Sequence, residues 1–150
     1  MQHNAATHYL NQQIMTASPG QLVVMLYDRA IRALRDAIRA IEAGDIEARC
    51  QHVTRATDIV SHLWTTLDME KGGEIARNLG DLYRFVSTKL GEINMRNDPE
   101  VARAMIGLLE PLAESWRSIA GEAAGPTTRP GTAAPTASTR PVSGGFALSA

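Results

Sequence analysis

Asp58 and His62 stand one helical turn apart, and His52 precedes them on the same stretch of chain. A carboxylate and an imidazole at that spacing can share a divalent metal, which in turn can activate water. Two ligands do not make a site, and His52 lies ten residues before His62. A di-iron bundle needs Glu-x-x-His on two helices with two further inward glutamates, and the sequence contains no Glu-x-x-His. Gly72-Gly73 lacks the Lys-Ser/Thr that completes a phosphate loop. Cys50, the single cysteine, falls in an apolar pattern where a thiol packs as a small hydrophobe. The expectation is a protein that is not an enzyme and holds neither metal nor other cofactor.

Composition narrows the remaining classes. The chain has 150 residues, 44% apolar and 21% charged, which is one globular domain of ordinary size. Lys and Arg number 15 against 16 acidic residues, so the basic excess of a nucleic-acid binder is missing. The longest aliphatic-aromatic run, Leu22 to Tyr27, is six residues, whereas a membrane span needs about 20. Met1 to Tyr27 carries no Lys or Arg, so the positive n-region of a signal peptide is missing. One cysteine cannot form an internal disulfide and fits a reducing compartment. These features predict a cytoplasmic protein with no nucleic-acid partner and no membrane insertion.

Four segments carry the helical period. The first opens at Ser18-Pro19-Gly20-Gln21, a capping box with proline at the first helical position. Its apolar residues recur at Val23, Tyr27, Ala30, Leu34, Ala37, Ile38 and Ile41, and Gly44 ends it. Asp45 caps the second, with a seam from Ile46 through Cys50, Val53, Ala56, Val60 and Leu63 to Leu67, broken at Lys71-Gly72-Gly73. The third presents Ile75, Leu79, Leu82, Tyr83, Val86, Leu90 and Ile93 on one face, and Asn97 closes it. Asp98-Pro99 opens the fourth, whose stripe runs from Val101 through Met105, Leu108, Leu109, Leu112 and Trp116 to Ile119. Gly107 and Pro111 interrupt that stripe and predict a kink.

Amphipathic helices joined by short connections predict an all-α, antiparallel four-helix bundle over 18–120. Residues 1–17 form an uncharged leader and cap segment. The stretch 121–150 holds four of the seven prolines and five of the twelve glycines, and reads as a disordered tail. Along the first helix Arg29, Arg32, Arg35 and Arg39 share a side with Asp28 and Asp36, which can each pair with Arg32. This reads as a solvated, ion-paired face.

The apolar surplus carries more information. Leu22 to Tyr27 covers every side of the helix for more than a turn, where a bundle helix needs only a stripe. Either the leader, with Tyr9, Leu10, Ile14 and Met15, covers the extra face, or a partner does. A second copy of the chain would serve, which makes a self-associating homodimer the rival reading.

The pattern Tyr9-x-Asn11, Thr16-Ala17-Ser18-Pro19 and Leu22-x-x-Met25-Leu26-Tyr27-Asp28-x-Ala30-Ile31 resembles the opening of the flagellar secretion chaperone FliS family. The similarity continues through Leu67-Asp68, Gly73-Glu74-Ile75-Ala76-x-Asn78-Leu79-x-x-Leu82-Tyr83, Leu90, Asn94 and Trp116. It thus spans about Tyr9 to Ile119. The resemblance implies a helical bundle that holds the disordered C-terminal segment of flagellin. It would thereby prevent premature polymerisation and keep flagellin competent for the flagellar type III export apparatus. It also implies that the N-terminal segment can lie over the hydrophobic groove when flagellin is absent.

Carried over position by position, the resemblance implies flagellin contacts at Tyr9, Pro19, Leu22, Met25, Leu26 and Tyr27. On the later helix it implies Asn78, Leu79, Leu82 and Tyr83, with Asp28 and Asn78 as the polar members. For Leu26, Leu79 and Leu82 a core role is an equal expectation. Arg29 stands where the family commonly has a small residue, Gly20 where it is often acidic, and Pro111 where its last helix usually continues smoothly.

Overall fold

The computed structural model describes residues 17–128 together with Ala5. Four helices follow one another: α1 (Pro19–Glu42), α2 (Ile46–Thr65), α3 (Met69–Arg96) and α4 (Pro99–Thr128). Each begins, and the first three end, where local chemistry satisfies the free main-chain groups of a helix end. The Ser18 hydroxyl accepts from the Gln21 N–H at 3.2 Å, while the Gln21 side chain accepts from the Ser18 N–H at 2.9 Å. Gly44, at φ +73°, turns the chain after α1, and the Asp45 carboxylate accepts from the Ala48 N–H at 3.0 Å to start α2. Asn97 closes α3 in the left-handed conformation at φ 53°. Asp98 accepts from the Glu100 N–H at 2.9 Å and opens α4.

The boundary between α2 and α3 differs from the expectation. α2 stops at Thr65, short of Leu67, because the Thr65 and Thr66 hydroxyls donate to the His62 and Leu63 carbonyls at 2.8 and 2.7 Å. Asp68 then caps a new helix through the Glu70 and Lys71 N–H groups, at 3.1 and 3.0 Å. The glycine doublet lies inside α3 and bends it: Gly73 adopts φ 54°, ψ −127°, a region open essentially to glycine alone.

Packing closes a square. α1 lies between α2 and α4, α3 also touches both, and the seam between α3 and α4 is the loosest. Tyr27, Leu34, Val60, Leu63, Tyr83, Val86, Leu90, Ile93 and Leu109 fill the centre. The start of α1 packs against α4 at Gly20, where a Cβ would meet the Ala120 Cβ at 3.4 Å.

The ends of three predicted stripes fall outside the core. Ile46 is 62% exposed, Ile75 71% and Ile119 53%. Ile46 is the first residue of α2. Ile75 follows the Gly73 bend, which breaks the helical phase that would have turned it inward.

α4 passes through Gly107 and Pro111 as one continuous helix and continues beyond Ala120 to Thr128. The carbonyl that Pro111 leaves without a donor belongs to Gly107, and both residues are exposed, so water reaches it. The helix is therefore not interrupted at these positions. Residues 129–150 of the expected tail, and all of the leader but Ala5 and Ala17, lie outside the described residues.

The arginine face is paired differently from the expectation. Asp28 meets Arg117 of α4 at 2.7 Å, Arg35 pairs with Glu110, and Arg103 reaches Glu42 at 2.9 Å. Asp36 pairs with Arg39. Among the described residues Arg32 has no ion pair, because α4 and Arg39 supply nearer partners for both carboxylates. Such exposed pairs each contribute about 0–1 kcal/mol.

Candidate functional site

The bend in α3 opens an apolar groove at one end of the bundle. Its walls are Val23 of α1, Leu63 of α2, Leu67 of the connection, Ile75, Ala76 and Leu79 of α3, and Trp116 of α4. Tyr83 lies at its floor, Thr66, Asp68 and Gly72 complete the rim, and the cavity measures about 190 Å³. Every element of the fold thus contributes to it. Gly72 cannot carry a side chain here, since its Cβ would sit 2.6 Å from that of Ala76.

Beneath the groove the Tyr27 and Tyr83 hydroxyls are 2.6 Å apart, with ring centroids separated by 6.4 Å. Burial pushes both phenols above their ordinary pKa. Hydrogen bonding from Tyr83 and from Trp116 works against that burial at Tyr27. At Tyr83, hydrogen bonding to Tyr27 adds to it. Both groups are therefore neutral, and the pair functions as a hydrogen-bonded strut between α1 and α3.

The residues named by the resemblance fall in different places. Leu79 and Tyr83 line the groove. Leu22, Met25 and Leu26 are half-buried on α1, as are Val23 and Val24, so the apolar girdle keeps part of its surface open on every side. Tyr27 is wholly buried and offers no contact surface, while Leu26 and Leu82 are half-buried and pack against the core. Pro19 is exposed at the first position of α1. Asp28 is exposed and held by Arg117 at 2.7 Å, and Asn78 is exposed with no side-chain hydrogen bond among the described residues. Tyr9 lies outside the described residues.

Nine of the eleven groove residues were missed as site residues: Val23, Leu63, Leu67, Ile75 and Trp116, assigned to core stripes, Gly72, read as a helix breaker, and Thr66, Asp68 and Ala76, given no site role. The available signal was the glycine doublet following an Asp68 cap, which a bent helix start uses and an ordinary loop does not.

Little else offers chemistry. Asp58 and His62 are exposed, and among the described residues no three His, Cys, Asp or Glu side chains come together as a metal site. A larger cleft of about 780 Å³ between α1 and α4 is lined by the paired charges Asp28, Arg35, Glu110, Glu114 and Arg117. No described helix is long and apolar enough to cross a membrane.

Comparison with known proteins agrees with this geometry. The sequence profile of the family described as Flagellar protein FliS matches residues 1–123. The flagellar secretion chaperone FliS of Salmonella typhimurium is 41% identical over 111 residues, covering 73% of this chain and 82% of that protein. Its counterpart in Campylobacter jejuni is 38% identical over 120 residues, 79% of this chain and 94% of that one. A crystal structure described as a flagellar chaperone from bacteria shares the fold at a TM-score of 0.65 and 18% identity, with 79% of this chain and 97% of that one covered. Taken with a bundle that carries an open apolar groove, the profile and the relatives place this chain in the FliS family of flagellar secretion chaperones.

Proposed function

We propose that the chain is a non-enzymatic cytoplasmic export chaperone that holds the disordered C-terminal segment of flagellin. The observation that carries the reading is the groove between Val23, Ile75, Leu79 and Trp116, continuous in sequence with the half-open girdle on α1. A segment that orders on binding loses conformational entropy, so it needs a long apolar surface in return. Each aliphatic side chain fully buried there contributes about 1.5–3 kcal/mol. Helix-in-groove recognition spaces such anchors along one face. Held in this way, flagellin cannot polymerise before it reaches the flagellar type III export apparatus.

The test is a calorimetric titration of the chain with the C-terminal segment of flagellin from the same organism. One-to-one binding with a large negative heat-capacity change supports the proposal. Deleting Met1–Ala17 then shows whether the leader competes for the groove or contributes to it. Absence of heat, together with a mass that rises with concentration, would overturn the proposal in favour of the homodimer.

A further inference from the structure

Three ion pairs join α1 to α4 in one register. Asp28 meets Arg117, Arg35 meets Glu110, and Glu42 meets Arg103. On each helix successive members stand seven residues apart, two turns along one face. This ladder fixes what lies level with each residue between its rungs. Arg32 falls between the first two rungs, at the height of Ala113, whose methyl group offers a guanidinium nothing to pair with. The carboxylates nearby are taken: Asp28 and Glu114 by Arg117, Glu110 by Arg35, and Asp36 by Arg39. Of the four arginines that line the α1–α4 cleft, Arg32 alone is without an ion pair among the described residues. The cleft measures about 780 Å³, and its lining holds four guanidinium groups against three carboxylates.

We infer that this cleft takes the carboxyl terminus of the docked flagellin segment, with the Arg32 guanidinium pairing with the terminal carboxylate. One unmatched cation calls for one anion, and a guanidinium grips a carboxylate through two parallel N–H···O bonds. An α-carboxylate is ionised at neutral pH. Only a segment that ends its chain brings that charge, so Arg32 distinguishes a chain end from an internal stretch of the same apolar pattern. A last turn of helix adds to the match, because its free carbonyls are the negative pole of the helix dipole. The cleft is also within reach of the apolar surface. Met25, half-buried in the girdle, stands seven residues before Arg32 on the same face of α1, about 10 Å along the helix. On α4, Trp116 of the groove directly precedes Arg117 of the cleft. Ile31 and Ala113, both buried, give the cleft an apolar floor beside the charge. The inference deepens the flagellin reading and rests on it.

The test compares two synthetic peptides of the flagellin C-terminal segment, one ending in the free acid and one in the amide. Calorimetric titration of the full chain should find the amide bound about three- to fivefold more weakly. That difference should shrink as salt is raised. In Arg32→Gln the two peptides should bind equally, both at the level of the amide on the wild-type chain. Arg29→Gln serves as the control for general charge: Arg29 is exposed on the same helix, outside the cleft lining, and the acid–amide difference should persist there. Equal binding of acid and amide to the wild-type chain would overturn the inference and leave the flagellin reading intact. So would a difference that survives Arg32→Gln or disappears in Arg29→Gln. Loss of affinity in Arg32→Gln without any acid–amide difference would assign Arg32 to an acidic side chain instead, and also overturns it. A wild-type chain that binds neither peptide would overturn both readings.

Discussion

The Arg49 guanidinium on α2 reaches the residue that closes α3, donating from Nη1 to the Asn97 Oδ1 at 2.6 Å and from Nε to the Asn94 Oδ1 at 3.2 Å. Arg49 is only 8% exposed and has no carboxylate partner among the described residues. Its charge is met instead by two amide oxygens and by the carbonyl end of α3, where the helix dipole is negative. Asn97 sits at φ 53°, so this residue closes the helix through its backbone N–H to the Ile93 carbonyl and holds the buried cation with its side chain.

Arg49→Met, which keeps the length and removes the charge, should therefore lower stability by about 2–3 kcal/mol. Asn97→Gly removes one hydrogen bond but eases the left-handed backbone, so it should cost less. Urea unfolding followed by circular dichroism checks both. Equal losses in the two variants would mean that the bond to Asn97 carries the whole effect.

Two glycines of α3 should respond with opposite signs. Gly73→Ala places a Cβ at φ 54°, ψ −127° and should cost about 1–3 kcal/mol. Gly91 is exposed and helical, and a Cβ there meets nothing within 4 Å. Gly91→Ala should stabilise by about 0.5–1 kcal/mol. The same urea titrations measure the pair, and a neutral Gly73→Ala would refute the bend as a glycine-dependent feature.

Ile75 separates binding from folding better than the tyrosines do. At 71% exposure, Ile75→Gln should change stability by less than about 0.5 kcal/mol. Loss of its groove contact should still reduce affinity for the flagellin segment about tenfold. Tyr27→Ala, by contrast, empties the core and should cost about 3–5 kcal/mol. Calorimetric titration of folded Ile75→Gln decides the matter, and undiminished affinity would remove Ile75 from the docking surface.

Alkali should unfold the bundle through its buried phenols. The folded-state pKa values of Tyr27 and Tyr83 are raised by burial from the ordinary 10.0. Below that value both states keep their protons, and stability does not depend on these groups. Above it the unfolded chain loses protons that the folded chain retains, so stability falls as pH rises. The limiting slope is about 1.4 kcal/mol per pH unit for each phenol. Phenolate absorbance at alkaline pH should appear for these two residues only as the helical signal disappears. Ionisation ahead of unfolding would contradict the burial argument.

Much of the architecture was written locally. Ser18 with Gln21, Gly44, Asp45, Asn97 and Asp98-Pro99 all act where the sequence places them, because a helix cap bonds groups two to four residues away. The same short range made the central core readable: a helical period puts Leu34, Val60, Val86 and Leu109 on inward faces whatever lies opposite. Two of the eleven groove residues were legible as site residues as well, Leu79 and Tyr83, which belong to the quoted pattern.

The remainder depended on which helix faces which, and at what height. Asp28 binds Arg117, 89 residues away, in preference to the Arg32 on its own helix. Tyr27 finds Tyr83 across 56 residues, and an arginine in an ordinary helical segment became the buried Arg49. The sequence by itself determined four capped, amphipathic helices, because those features arise from bonds within a turn and from burial of one face. Only the tertiary structure decided the groove, the tyrosine strut and the charge partners. Each depends on the relative register of two helices, which is set by close packing between residues far apart in the chain.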